Sequence, residues 1–134
     1  LPAAALDRAS GLLTDLTAGA AERLLLHGDL HHDNILRRGE GWCAIDPKGL
    51  IGERAAEAAP LLRRHADPAV PEQPRRRAAI VAETTGLDLG RIAAWGYAGA
   101  VVTAAQIVVR GAHPARKLAV AEALLPLISP RGSA

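Results

Sequence analysis

Phenylalanine and methionine are absent from this 134-residue chain, and aromatic residues make up only 2% of it. A core without large rings must be filled by Ala, Leu, Val and Ile, which favours closely packed helices. A single cysteine, Cys43, excludes an internal disulfide and suits a reducing compartment. An excess of one charge is also missing: the net charge is +2, and apart from Arg75-Arg76-Arg77 the basic residues are scattered. That excludes the basic stripe of a nucleic-acid binder, and the arginine run reads as a solvated helix face. Leu1-Pro2-Ala3 has neither the basic nor the apolar region of a signal peptide. No apolar run reaches the length of a bilayer span, because Gly, Gln and Thr interrupt the longest one. The expectation is one cytoplasmic domain with no membrane or nucleic-acid partner.

What the chain has in abundance is a short polar stretch between apolar runs. His27-Gly28-Asp29-Leu30-His31-His32-Asp33-Asn34 lies between Leu24-Leu25-Leu26 and Ile35-Leu36. An ionisable loop held between strand-like pieces is the layout of a catalytic loop on a rigid scaffold. Its spacing points to phosphoryl transfer. Catalytic loops of kinase-type enzymes read His-x-Asp with an Asn five positions beyond the Asp, which are His27, Asp29 and Asn34 here. A second Asp is expected after a short hairpin, and Asp46 in Ile45-Asp46-Pro47-Lys48-Gly49 fits. The chemistry needs a base near the acceptor hydroxyl, Asp29, and oxygen ligands for magnesium, Asn34 and Asp46. Lys48 is a candidate phosphate contact. A zinc cluster of His31, His32 and Asp33 is the competing reading. It is weaker, because the spacing matches no His-x-His-x-Asp-His pattern and no second Cys or His cluster follows. His27 reads as a structural histidine bonding backbone near Asp46. His65 and His113 read as surface residues, and Cys43 as buried core.

These residues resemble the aminoglycoside phosphotransferase family, which shares the protein kinase-like fold. His-Gly-Asp-Leu-His-His-Asp-Asn-Ile-Leu, followed by Ala-Ile-Asp-Pro-Lys-Gly-Leu-Ile-Gly-Glu, is similar to the streptomycin 6-kinase and hydroxyurea phosphotransferase branch. The strong resemblance covers residues 24 to 57; the rest matches in layout. It implies Asp29 as catalytic base, Asn34 and Asp46 as magnesium ligands, ATP as phosphoryl donor and a small hydroxyl compound as acceptor. The branch usually carries an aromatic and an Asp where this chain has Ala56 and Glu57. In kinase-like folds that Asp ties a helix start to the catalytic loop, and Glu57 is the residue placed to do so here.

Around the motif the pattern is helical. Residues 3 to 17 form a helix with Leu6, Leu12, Leu13 and Leu16 inward, and Leu24-Leu25-Leu26 a short buried strand. Ile35–Arg38 and Trp42–Ile45 flank Gly39-Glu40-Gly41 as a hairpin that sets Asn34 and Asp46 at one end, beside Asp29. Gly49-Leu50-Ile51-Gly52 reads as a flexible crossing, and Glu53 to His65 as a helix bent or broken at Pro60. A proline-rich loop covers residues 67 to 74, and a helix from Arg75 to Thr85 ends at Gly86. Asp88 caps a helix from Leu89 to Arg110 in which Gly96 and Gly99 permit close contacts. Ala115 to Ile128 is the final helix.

The predicted fold class is α+β and mainly helical: the C-terminal lobe of a protein kinase-like fold, with a small β-hairpin at the catalytic site. Residues 1–128 form that lobe and 129–134 a flexible tail. The expected function is ATP-dependent, magnesium-assisted phosphorylation of a hydroxyl on an aminoglycoside-type antibiotic. The helices from Arg75 onward would wall the acceptor pocket, with Glu53, Glu57, Glu72 and Glu83 as acids available to a cationic acceptor. Residues 1 to 26 carry no phosphate-covering loop and no lysine–glutamate pair, so an N-terminal lobe is expected to be missing. The alternative is a truncated, inactive remnant that folds and holds metal without turnover.

Overall fold

Small apolar side chains at helical spacing let the helices approach closely, and the molecule is built on that contact. In the computed structural model residues 1–67, 69–70 and 72–128 are described. Helix α1 (Ala3–Ala18) is followed by strand β1 (Leu24–Leu26), β2 (Ile35–Arg38), β3 (Gly41–Ala44) and β4 (Leu50–Gly52). Then come α2 (Ala58–Arg63), α3 (Glu72–Thr85), α4 (Leu89–Val109) and α5 (Ala115–Leu124). The class is α+β and mainly helical, as the sequence predicts.

Helix α4 is the central post. Its Asp88 cap is present, the carboxylate accepting the Arg91 N–H at 2.7 Å. Helices α1, α2, α3 and α5 all pack on it, and Ile92, Ala98, Ala100 and Ala104 are fully buried. By length and composition α4 could cross a membrane, which the sequence reading did not expect, but half of that window is buried inside the molecule. Gly96 makes the close packing possible: a Cβ there would sit 2.7 Å from Leu62 Cδ1 and 2.8 Å from Leu124 Cδ1. On α1, Ala9 and Leu16 are buried while Leu6 is 42% exposed. Leu6 is not inward, because it lines an open groove between α1 and α4 with Val102 and Val109.

Two small antiparallel sheets sit beside this helical body. In the hairpin, Ile35 pairs with Ala44 and Arg38 with Gly41, leaving Gly39-Glu40 as the turn. The other sheet corrects two expectations. Gly49 to Gly52 is not a flexible crossing: Leu50–Gly52 is β4, paired with β1 so that Leu25 faces Ile51. Nor is β1 buried throughout. Leu26 is buried, but Leu25 is 77% exposed, because a two-stranded ribbon covered on one face leaves the other open. Cys43 is half-buried rather than core.

Proline sets the helix boundaries. The expected helix from Glu53 divides into a 3-10 turn, Arg54–Glu57, and α2. Pro60 is the third residue of α2, where its missing N–H has no intrahelical acceptor to lose. Helix α3 begins at Glu72, ahead of the expected Arg75, and takes Pro74 into its first turn. The loop reading at Pro68 and Pro71 lies outside the described residues, as does the tail 129–134. The final helix stops at Leu124 and continues as a 3-10 turn, Leu125–Leu127, because Pro126 cannot donate the next helical hydrogen bond.

The arginine run is a solvated face only at Arg76, which is exposed. Arg75 donates to the Ala123 carbonyl at 2.6 Å. Arg77 donates to the carbonyls of Leu61, Arg64 and His65, closing the C-terminus of α2, whose last carbonyls lack helical partners.

Candidate functional site

Four residues of the polar loop, His27, Gly28, Asp33 and Asn34, are bonded to residues outside it. His27 Nε2 donates to the Ile45 carbonyl at 2.7 Å, and its Nδ1 accepts the Asp29 N–H at 3.2 Å. That acceptor role puts the ring proton on Nε2. The histidine is therefore structural and bonds backbone next to Asp46. The His27 carbonyl takes the N–H groups of Lys48 at 2.7 Å and Gly49 at 3.3 Å. The loop and the Asp46–Gly49 turn are thereby joined.

Gly28 is where the chain must turn. Its φ is +83°, and a Cβ would lie 2.9 Å from Leu50 Cγ. Its N–H donates to Glu57 Oε1 at 3.0 Å. Glu57 thus ties the start of α2 to the loop, while its Oε2 is buried without a partner.

Asp29 and Asn34 are held in direct contact. Asn34 is buried, and its Nδ2 donates to the Asp29 carbonyl at 2.9 Å. His31, 5% exposed, lies behind them: its Nε2 is 3.3 Å from Asn34 Nδ2 and 3.6 Å from Asp29 Oδ2. The Ile45 N–H donates to the Asn34 carbonyl at 2.9 Å, so Asp46 follows directly from the point where β3 leaves Asn34. Asp46 is exposed and adopts φ +61°, a left-handed conformation that Asp tolerates better than most residues and that recurs at functional turns. The Lys48 side chain is exposed on the same turn.

Two residues that the sequence reading did not assign to the site belong here. Burial pushes the Arg63 guanidinium below its usual value, and the nearby Asp29 carboxylate opposes that shift. A half-buried cation therefore stands within electrostatic reach of Asp29. His65 is exposed, as expected, yet its Nε2 is 2.8 Å from Asp33 Oδ2. Neither carries a local signal, because each reaches the loop through the fold. Glu53 must be withdrawn from the acids available to a cationic acceptor. It is buried, pairs with Arg91 Nε at 2.7 Å and accepts from Trp95 Nε1. Beside Leu30, the residue after Asp29, opens a cavity of about 620 Å³ whose lining includes Glu57, Leu61, Ile80, Val81 and Thr84.

Comparison with known proteins identifies the family. Residues 3–111 match the family described as aminoglycoside/hydroxyurea antibiotic resistance kinase. The chain is 38% identical over 113 residues to streptomycin 3''-kinase of Klebsiella pneumoniae, covering 78% of this chain and 42% of that protein. It is 36% identical over 98 residues to streptomycin 6-kinase of Streptomyces glaucescens, covering 64% and 32%. Against hydroxyurea phosphotransferase of Kitasatospora aureofaciens it is 36% identical over 116 residues, covering 84% and 33%. The chain thus spans less than half the length of these relatives. No solved structure matches it. The match over residues 3–111 shows that the chain belongs to the aminoglycoside/hydroxyurea antibiotic resistance kinase family.

Proposed function

We propose that this chain is the catalytic, C-terminal lobe of a kinase-like phosphotransferase. It acts in the cytoplasm and moves the γ-phosphoryl group of ATP to a hydroxyl of a streptomycin-type antibiotic. One observation carries the reading: the Asn34 amide is bonded to the Asp29 backbone, and the Asn34 carbonyl to the strand that leads into Asp46. Asp29 accepts the proton of the attacking hydroxyl. Arg63 steadies the charge around it. The Asn34 bond uses Nδ2, which leaves Oδ1 for another partner. Asp46 adds an exposed carboxylate. A neutral and an anionic oxygen on adjoining turns suit magnesium, a hard cation that prefers oxygen ligands. When bound, magnesium supplies charge neutralisation on the phosphates. Lys48, on the same exposed turn, would meet a phosphate.

Two further features support the reading. Leu25, Leu50, Ile51 and Trp42 are large apolar side chains left exposed on the two sheets, the kind of surface a second lobe would cover. The cavity beside Leu30 falls within the range of small-molecule sites. Its walls include α2 and α3, with Glu57 and Arg54 as the charged lining residues, and its position beside Leu30 supports a role in holding the acceptor.

The test is transfer of labelled γ-phosphate from ATP to streptomycin, with the chain joined to the N-terminal lobe of a relative. Asp29→Ala should lower turnover by about 10²- to 10⁴-fold and leave nucleotide affinity nearly intact, because the base is not a nucleotide ligand. Equal turnover in the variant would overturn the role of Asp29. Absence of transfer by the unmutated protein would overturn the phosphotransferase reading.

A further inference from the structure

His31, Asp33 and His65 each offer one ligand atom, and these atoms lie within 4.8 Å of one another. His65 Nε2 is 2.8 Å from Asp33 Oδ2, and His31 Nδ1 is 3.6 Å from the same oxygen. In a tetrahedral site with bonds of about 2.0–2.1 Å the ligand atoms stand about 3.3 Å apart, so these separations bracket the required one. We propose that His31, Asp33 and His65 form a binding site for a divalent cation of the zinc class, with ligands distinct from the Asn34–Asp46 pair.

The ligand chemistry selects the metal. Two imidazoles and one carboxylate suit zinc, copper or nickel, whereas magnesium prefers oxygen alone. Three protein ligands leave a fourth position open to water. The site is built on one fixed ligand and two adjustable ones. His31 is nine-tenths buried and held between Asn34 and Asp29, while His65 and Asp33 are exposed side chains that can adjust to close on an ion. A cation would take the Nδ1 lone pair of His31 from the Asp33 N–H, which now reaches it at 3.3 Å. The proton then lies on Nε2, which faces Asp29 Oδ2 at 3.6 Å. That is the carboxylate–histidine–metal arrangement in which a carboxylate orients the ligand ring. His65 adopts φ +52°, unusual for a residue with a side chain, and Arg77 holds the carbonyls of the same turn. The turn is thus fixed where His65 meets the loop. Arg64 and Arg77 are the nearby charges that oppose a cation, so Asp33 and Asp29 must both remain as carboxylates for it to bind.

The test is titration of the 134-residue chain with Zn²⁺ by calorimetry, beside His65→Asn, Asp33→Asn and His113→Ala. Asn tolerates the left-handed backbone at residue 65, so that variant should fold, and circular dichroism checks it. One Zn²⁺ per chain is expected in the unmutated protein and in His113→Ala. Binding should weaken by about tenfold or more in His65→Asn and Asp33→Asn. Co²⁺ should give the intense visible bands of a four-coordinate site, and millimolar Mg²⁺ should not displace it. Equal Zn²⁺ affinity in His65→Asn, or displacement by Mg²⁺, would overturn the assignment.

Discussion

At Gly28 the backbone turns left-handed and presents its N–H to Glu57 Oε1 at 3.0 Å, so one side chain at the start of α2 anchors the loop that carries Asp29. Glu57→Ala removes that acceptor and leaves a part-buried donor unpaired, which should cost about 1–3 kcal/mol by urea denaturation. Glu57→Gln retains an acceptor oxygen and should lose less. A loss in Glu57→Ala no larger than in Glu57→Gln would show that the bond contributes nothing. This contact was legible in the sequence, because the resemblance places an acid of this role at residue 57. The structural role of His27 was legible too, from its offset before Asp29. Arg63 and His65 were not. His65 reaches Asp33 from 32 residues away, a distance across which no periodicity or motif carries information.

Among the elements, the helices were the most readable, since their apolar spacing and capping residues act locally. Asp88 and Gly86 bound α4 and α3 as expected. The strand β4 was missed because Leu50-Ile51 flanked by glycines looks like a crossing until β1 pairs with it; a three-residue strand is defined by its partner. The bounds of α2 and α5 moved for a common reason, proline near a helix end. Close packing at Gly96 was foreseen, and it yields a prediction for the α2–α4–α5 contact. Gly96→Ala gains up to about 1 kcal/mol in helix propensity but drives a methyl to within 2.7 and 2.8 Å of Leu62 and Leu124, both fully buried. Overpacking of this kind costs about 1–3 kcal/mol. Thermal denaturation should therefore show a net loss of stability, and an unchanged or raised Tm would mean that the two leucines can retreat.

Across the whole molecule, an ion pair between a buried carboxylate and a half-buried guanidinium joins the sheets to the helical body. Glu53, just after β4, is 6% exposed and is met by Arg91 Nε, while Arg91 Nη2 donates to the Leu16 carbonyl at 2.9 Å. The contact links the C-terminal turn of α1, the β4 exit and the first turn of α4. Arg91→Ala would leave a buried carboxylate with only Trp95 beside it, at a cost of about 3–5 kcal/mol, read as a lower denaturation midpoint; a change within about 0.5 kcal/mol would place the pair among surface bridges of little weight. The account depends most on Asn34 and Asp46 sharing one cation next to Asp29, and Mn²⁺ standing in for Mg²⁺ tests this directly. In an amide NMR spectrum of the chain, Mn²⁺ should broaden first the resonances around residues 29, 34 and 46, and Asp46→Asn should abolish that broadening. Broadening that survives in Asp46→Asn, or that centres elsewhere in the molecule, would contradict the account.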